Sequence, residues 1–290
     1  MLALSVPGKK RLAYGLWRYR EDEIDRAVEM LSLAREHGID HLDTADVYGG
    51  PGGFGGSERL LGDVRRRAPE LLDGAVLATK IGIEPGSPYN SSREYLIAAC
   101  EASLSRLRVE CIDLLYIHRP DLLTHPADLA RTLDGLVASG KVAAVGVSNF
   151  TTTQFDALSR FMRTPISAHQ LEFSAAHVEP LFDGSFDQAM EYGAALLAWS
   201  PLAGGRLGEG EATLAITRVR DLLQTIAEHA AVPPAAAALA FAQHHPAPVT
   251  PILGTKNPQR LRDCLKANGC ELSRAEWYGI VEACRGERMP

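Results

Sequence analysis

Residues 39–48 read IDHLDTADVY, a short apolar run that ends in an aspartate and continues into a polar turn carrying a tyrosine. The same order of a short apolar or β-branched run, a polar turn and a longer amphipathic stretch recurs along the 290-residue chain. This alternation predicts parallel strands covered on the outside by helices, because strands buried on both faces read as nearly continuous apolar runs. We therefore expect an α/β fold built of βα units.

Eight runs have the length and composition of strands. They are RLAYGLW (11–17), IDHLD (39–43), VLATK (76–80), IDLLYIH (112–118), VAAVGVS (142–148), PISAHQ (165–170), AALLAWS (194–200) and VTPILG (249–254). Helical stretches separate them, and EDEIDRAVEMLSLAREHG and PADLARTLDGLVASG each end in a glycine at the C-terminal cap position. Eight such units without a Pro/Gly/Ser-rich linker predict one (β/α)8 TIM barrel over residues 1–290.

Composition narrows the classes of protein and partner. The chain is 46% hydrophobic, and its 30 basic and 36 acidic side chains are scattered along the sequence, so we expect no nucleic-acid partner. Five cysteines form no CxxC pair, which predicts reduced thiols and neither a disulfide framework nor a metal site. Neither a signal peptide nor a membrane-spanning apolar stretch is present, so we expect a cytoplasmic protein without a membrane partner.

Polar residues at strand ends point to the place of the chemistry, because active sites of these barrels lie at the C-terminal ends of the strands. Asp43, Lys80 and His118 each end a predicted strand, and Tyr48 lies one turn beyond Asp43. Each residue alone has a structural explanation, such as a helix cap or a hydrogen-bonded histidine. Four ionisable groups from consecutive βα units at one barrel end instead predict an active site.

With these residues in place, the chain resembles the aldo-keto reductase superfamily over nearly its full length, and its loops resemble the prokaryotic oxidoreductase branch. The resembling segments are GIDHLDTADVYG, GSERLLG, ATK, DLLYIHRPD, GKVAAVGVSNF, HQLEFS, WSPLAGG and PILGTKNPQRL. The resemblance implies NADPH-dependent reduction of a small aldehyde or ketone to an alcohol, by a monomer. The family's catalytic tetrad falls on Asp43, Tyr48, Lys80 and His118.

The chemistry of carbonyl reduction needs these four residue types. Hydride transfer leaves an alkoxide, so a group must donate a proton to that oxygen, and the Tyr48 phenol is protonated at neutral pH. The charge of Lys80 would stabilise the phenolate that results, and Asp43 would keep Lys80 charged and oriented. His118 would orient the carbonyl and donate a hydrogen bond to its oxygen.

The resemblance also assigns residues to the cofactor. They are Ser148, Asn149, Gln170, Trp199, Ser200, Leu202, Gly204, Arg206, Gly254, Thr255, Lys256 and Arg260. The first three resemble the clamp for the nicotinamide carboxamide, which needs a donor and an acceptor, and Trp199 stands where the family stacks an aromatic ring on the nicotinamide. The small residues of SPLAGG would let backbone amides approach the pyrophosphate.

The segment GTKNPQR predicts a preference for NADPH over NADH. Thr255, Lys256 and Arg260 offer a hydroxyl and two cations for the ribose phosphate, and Asn257 followed by Pro258 is typical of a helix start. Cys264 stands where many members carry an asparagine near the adenine. At the substrate end, we expect contacts from Trp17, Phe54 and Tyr89.

Two alternatives compete with this interpretation. Gly50, Gly52 and Gly55 in GPGGFG match the GxGxxG fingerprint of Rossmann dehydrogenases, although a long loop separates them from the preceding strand. The second alternative is an NADPH-binding accessory subunit, because aldo-keto reductase barrels resemble the β-subunits of potassium channels. The sequence begins almost at once with its first predicted strand, without the long N-terminal segment expected for such a role.

Overall fold

The computed structural model describes residues 11–50 and 53–290, and these form a closed barrel of eight parallel strands. The strands are β1 Ala13–Gly15, β2 His41–Asp43, β3 Val76–Ile81, β4 Ile112–Ile117, β5 Val142–Ser148, β6 Ile166–Glu172, β7 Ala195–Trp199 and β8 Val249–Leu253. Each strand pairs with the next, and β8 pairs with β1. The predicted (β/α)8 barrel is confirmed.

Helices cover the outside of the barrel. They are α1 Ile24–Glu36, α2 Gly56–Arg67, α3 Arg93–Leu107, α4 Pro126–Ala138, α5 Thr152–Ser159, α6 Ser185–Tyr192, α7 Leu214–Ala230, α8 Pro234–Gln243, α9 Pro258–Leu265 and α10 Arg274–Arg285. In the described part of the chain, none of them is long and apolar enough to cross a bilayer. Two helices, α7 and α8, lie between β7 and β8, so the loop region above β7 carries more chain than the simple βα pattern predicts.

Several strands are shorter than the sequence pattern predicts. β1 covers Ala13–Gly15 within the predicted run 11–17, and β2 covers only the last three residues of the predicted run 39–43. The Leu16 amide still donates to the Asp43 carbonyl at 2.9 Å, but beyond it the chain turns outward toward Trp17. Strand pairing ends where the backbone leaves the barrel, although the apolar pattern continues.

The interior of the barrel is filled mainly by small side chains around one large ring. The buried interior set is Ala13, Ala78, Leu114, Tyr116, Ala144, Ala168, Ala195, Leu197 and Ile252. A Cβ atom at Gly146 would lie 2.7 Å from the Tyr116 ring, so glycine at this position makes room for the tyrosine. This packed interior fills the barrel, as expected for the fold, and the chemistry is left to the loops at one end.

The Rossmann alternative is excluded by the closed barrel. Gly50 and Gly55 both have a φ of 79°, and α2 begins directly after Gly55. Gly52 lies outside the described residues, as do residues 1–10.

Candidate active site

A cavity of about 1020 Å3 opens at the C-terminal ends of the strands. This volume is slightly above the usual range for small-molecule sites, roughly 300–1,000 Å3. Asp43, Tyr48 and His118 line the cavity, and Lys80 lies beside them, completely buried. The four residues predicted to be catalytic are therefore brought together at one barrel end.

The Lys80 ammonium is held by three oxygen atoms. It donates to Asp43 Oδ1 at 2.6 Å, to the Thr44 carbonyl at 2.8 Å and to the Tyr48 hydroxyl at 3.5 Å. Gln170 Nε2 donates to the other carboxylate oxygen, Asp43 Oδ2, at 2.8 Å. Burial acts to lower the pKa of Lys80, but the neighbouring Asp43 carboxylate and Tyr48 raise it overall, so the ammonium stays charged at neutral pH.

Tyr48 is a protonated phenol that can donate into the cavity. Burial raises its pKa, and the adjacent Lys80 charge offsets part of that rise. Lys80 Nζ lies 4.9 Å from the centre of the Tyr48 ring, in addition to its contact with the hydroxyl. Among the described residues, no hydrogen bond uses the Tyr48 O–H as a donor, so this proton remains for a molecule in the cavity.

His118 is neutral. Burial, followed by the charges of Lys80 and Arg119, lowers its pKa to about 2. Its ring packs edge-to-face on Tyr48 with centroids 5.7 Å apart, and its Nδ1 atom has no hydrogen-bond partner in the described residues. A neutral imidazole carries one N–H, so His118 can donate one hydrogen bond but holds no proton to give away near neutral pH.

Residues predicted to clamp the cofactor are connected by hydrogen bonds at the ends of β5 to β7. Asn149 Nδ2 donates to Ser148 Oγ at 2.8 Å, and Trp199 Nε1 donates to Asn149 Oδ1 at 2.9 Å, which fixes the indole ring. Asn149 and Ser200 have φ values of 58° and 50°, a left-handed conformation that is strained for residues other than glycine. Such strain concentrates at functional sites. The residues that line the cavity here are Ser148, Asn149, Gln170, Trp199 and Ser200.

The loop after β8 and helix α9 also border the cavity. Gly254, Thr255, Arg260 and Cys264 line it, as do Leu202 and Gly204 from the loop after β7. The predicted helix start is present, since Asn257 Oδ1 accepts from the Arg260 amide at 3.1 Å and Pro258 is the first helical residue. Arg260 Nη2 lies 3.4 Å from Glu209 Oε2, which also lines the cavity, so this ion pair spans its rim.

Four residues with predicted contacts do not line the cavity. Lys256 pairs with Glu23 at 2.7 Å, and Arg206 donates from Nε to the Ala203 carbonyl at 3.0 Å. Phe54 packs near the Arg106 guanidinium, and Tyr89 is exposed. Trp17 does line the cavity and is 54% exposed, which is unusual for a tryptophan and leaves its ring available for contact.

The cavity also contains arginines that the sequence did not single out. Arg18 and Arg220 both line it, and so does Arg119, the residue directly after His118. The position of Arg119 in IHRPD was the available signal, because a residue next to a strand-end histidine faces the same barrel end.

A buried acidic cluster supports the loop that carries Tyr48. Glu58 is completely buried; it accepts from Thr79 Oγ1 at 2.5 Å and from Arg106 Nε at 2.6 Å. Asp46, also completely buried, has no partner for either carboxylate oxygen in the described residues. Burial, and next the charge of Glu58, raises the pKa of Asp46 to about 8. Asp46 lies two residues before Tyr48, and Thr79 directly precedes Lys80, so the cluster flanks both catalytic candidates.

Comparison with known proteins agrees with this geometry. The model of the aldo/keto reductase family matches residues 11–285. An enzyme from Novosphingobium aromaticivorans named 6-dehydroglucose reductase is 42% identical over 283 residues, covering 96% of this chain and 93% of that enzyme. A 6-dehydroglucose reductase from Agrobacterium fabrum is 33% identical over 291 residues, covering 96% of this chain and 95% of that enzyme.

A solved structure supports the fold independently. The crystal structure of a thermostable aldo-keto reductase in complex with the inhibitor epalrestat has a TM-score of 0.81 at 24% identity and covers 94% of both chains. At this identity the likeness concerns the barrel alone. The family match over nearly the whole chain and the similarity to named oxidoreductases go further: this chain is a member of the aldo-keto reductase family.

Proposed function

We propose that this protein is an NADPH-dependent reductase of aldehydes or ketones in which Tyr48 is the general acid. The observation that carries the proposal is the arrangement of a protonated phenol with an unused O–H, a buried ammonium 3.5 Å from its oxygen and a neutral imidazole beside it. An accessory binding subunit has no need for this combination, so the arrangement favours the enzyme over that alternative.

The residues around the cavity fit a dinucleotide cofactor. Ser148, Asn149 and Gln170 line the cavity with the hydroxyl and amide types that suit a carboxamide, and their mutual contacts fix their positions. Trp199 offers a ring held in place by its own hydrogen bond to Asn149. Arg260 at the start of α9 provides a cation for a ribose phosphate. When bound, NADPH supplies the hydride that converts the carbonyl carbon to an alcohol carbon.

The remaining chemistry belongs to the side chains. The Tyr48 O–H donates its proton to the carbonyl oxygen as negative charge develops there, and the Lys80 ammonium stabilises the phenolate left behind. Asp43 keeps Lys80 in position by accepting a hydrogen bond from its ammonium at 2.6 Å. Gln170 in turn fixes the Asp43 carboxylate by donating to it at 2.8 Å. His118, which is neutral, donates a hydrogen bond that orients the same oxygen.

The substrate is a small carbonyl compound, and the names of the two 6-dehydroglucose reductases favour a sugar-derived aldehyde. Two exposed or half-buried tryptophans, Trp17 and Trp199, line the cavity and could stack on the apolar face of such a substrate.

A test combines an aldehyde panel with a Tyr48→Phe variant. The wild-type protein should oxidise NADPH in the presence of glyceraldehyde or 4-nitrobenzaldehyde, and Tyr48→Phe should lower the turnover number by about 100-fold or more, since general acid catalysis contributes roughly 10²–10⁴-fold. NADPH binding, measured by protein fluorescence, should change less than threefold. Tight NADPH binding without turnover of any aldehyde would support the accessory-subunit alternative, and normal turnover in Tyr48→Phe would remove Tyr48 from the mechanism.

A further inference from the structure

Arg119 differs from the other arginines that line the cavity. Arg260 pairs with Glu209, Arg18 Nη1 donates to the Gly254 carbonyl at 3.3 Å, and Arg220 Nε donates to the Arg206 carbonyl at 2.7 Å. Among the described residues, no hydrogen bond or ion pair engages the Arg119 guanidinium, although it is only partly exposed. Its N–H groups therefore remain available to a ligand.

The position of this guanidinium is on the reacting side of the cavity. Arg119 follows His118 in the chain, and its Cζ lies 6.0 Å from the centre of the Trp199 ring. His118 and Arg119 line the same cavity, together with Tyr48 and Trp199. A substrate whose carbonyl oxygen contacts Tyr48 and His118 would bring its next oxygen atoms toward Arg119.

Trp199 adds an apolar surface next to this cation. A ring face and a planar set of N–H donors together match a molecule that has C–H groups on one face and oxygen atoms at its edge, as a polyhydroxylated aldehyde has. A plain alkyl aldehyde of the same length offers nothing to the guanidinium, and binding it would displace water from those N–H groups without replacing the hydrogen bonds.

We propose that Arg119 is a specificity-determining residue that donates hydrogen bonds to the hydroxyl oxygens next to the substrate carbonyl, so that the enzyme selects hydroxylated aldehydes over alkyl aldehydes. This inference rests on the proposed function, because it concerns the substrate of the same site.

The test compares glyceraldehyde with propanal, which has the same three carbons and no hydroxyl group. The quantity of interest is the ratio of kcat/KM for the two aldehydes, because differences in their hydration in water cancel when the same ratio is compared between variants. One hydrogen bond to a charged donor corresponds to a factor of roughly 10 to 150. In Arg119→Met this ratio should therefore fall at least tenfold relative to wild type, and Arg119→Lys, which keeps the charge but loses the planar donors, should recover only part of it.

Arg66→Met provides the matched control, because Arg66 is an exposed arginine on α2 that pairs with Asp63, and neither residue lines the cavity. The control should keep the wild-type ratio, and thermal melting should confirm that all variants are folded. An unchanged ratio in folded Arg119→Met would overturn the inference and leave the proposed reductase function standing. Glyceraldehyde 3-phosphate should be assayed beside these two aldehydes. If Arg119→Met lowers kcat/KM for this phosphorylated substrate alone, the inference would also be overturned, in favour of an anion site. Failure of the wild-type protein to reduce any aldehyde would contradict the proposed function and this inference together.

Discussion

Replacing Arg260 by alanine tests the predicted preference of this chain for NADPH over NADH. The two cofactors differ by one phosphate on the adenosine ribose, so a preference requires cationic groups at that point alone. Two cations, Lys256 and Arg260, were expected there from the sequence. Lys256 Nζ lies 2.7 Å from Glu23 Oε1 and 3.3 Å from the Arg18 carbonyl, and it does not line the cavity. We therefore expect the preference for NADPH to depend on Arg260.

The magnitude follows from this one guanidinium. Charge-assisted hydrogen bonds contribute about 1.5–3 kcal/mol, which corresponds to roughly a 10- to 150-fold preference for NADPH. In the free protein Arg260 pairs with Glu209 at 3.4 Å, but the two side chains are 69% and 92% exposed, so breaking this pair costs only about 0–1 kcal/mol. Arg260→Ala should raise the KM and Kd for NADPH at least tenfold and those for NADH less than threefold.

Glu209→Gln extends the test, because this variant should strengthen NADPH binding where Arg260→Ala weakens it. It removes a negative charge near the expected phosphate and releases Arg260, so NADPH should bind about two- to fivefold more tightly at low ionic strength, and the gain should shrink in high salt. Arg262→Ala on the same helix is the control, because Arg262 is exposed and does not line the cavity. Equal losses with both cofactors in Arg260→Ala would show that this residue supports the fold and does not read the phosphate.

Three further predictions concern the buried ionisable groups. Lys80→Met should lower turnover by about 100-fold or more and the free energy of unfolding by about 3–5 kcal/mol, because it leaves the Asp43 carboxylate buried without its cation; wild-type kinetics would refute its role. With a pKa of about 2, His118 stays neutral above pH 4. The pH profile of kcat/KM should therefore show no step near pH 6.5 that is due to His118, and a step near pH 6.5 that is present in wild type and absent in His118→Gln would contradict this. The raised pKa of Asp46 means that the unfolded chain ionises above pH 4 while the folded chain stays protonated up to about pH 8, so stability is lost over that interval. Asp46→Asn should therefore increase the free energy of unfolding more at pH 8 than at pH 4 in urea titrations, and an equal change at both pH values would contradict this assignment.

The catalytic candidates could be predicted from sequence because the fold converts position along a strand into position in space. Asp43, Lys80 and His118 each end an apolar run, and the C-terminal ends of parallel barrel strands meet at one rim. Once the eight runs were recognised, their convergence needed no information about side-chain packing. Tyr48 followed for the same reason, since one turn beyond a strand end remains at that rim.

Side-chain partners distant in sequence could not be predicted in this way. Lys256 is 233 residues from its partner Glu23, and Arg106 is 48 residues from Glu58. No local pattern marks either pair, and a glutamate in the first turn of α2 is ordinarily read as a solvated residue favoured by the helix dipole. The chain packs α2 against α3, which buries Glu58 and gives it Arg106 as a partner.

The charge of Lys80 acts on both groups that would face the carbonyl, and it lowers the pKa of each. It favours the phenolate form of Tyr48, which lowers the cost of giving up the phenol proton. It disfavours the imidazolium form of His118, which keeps that ring from carrying a second proton. Burial first, and the Lys80 charge next, keep His118 neutral, so the proton should come from Tyr48 and the orienting hydrogen bond from His118. If Lys80 is replaced by methionine, both effects weaken at once, and the pKa of His118 should rise toward its ordinary value while that of Tyr48 rises further. NMR titration of the His118 ring in Lys80→Met would reveal the first change, and a His118 pKa that stays near 2 would show that burial alone keeps the imidazole neutral.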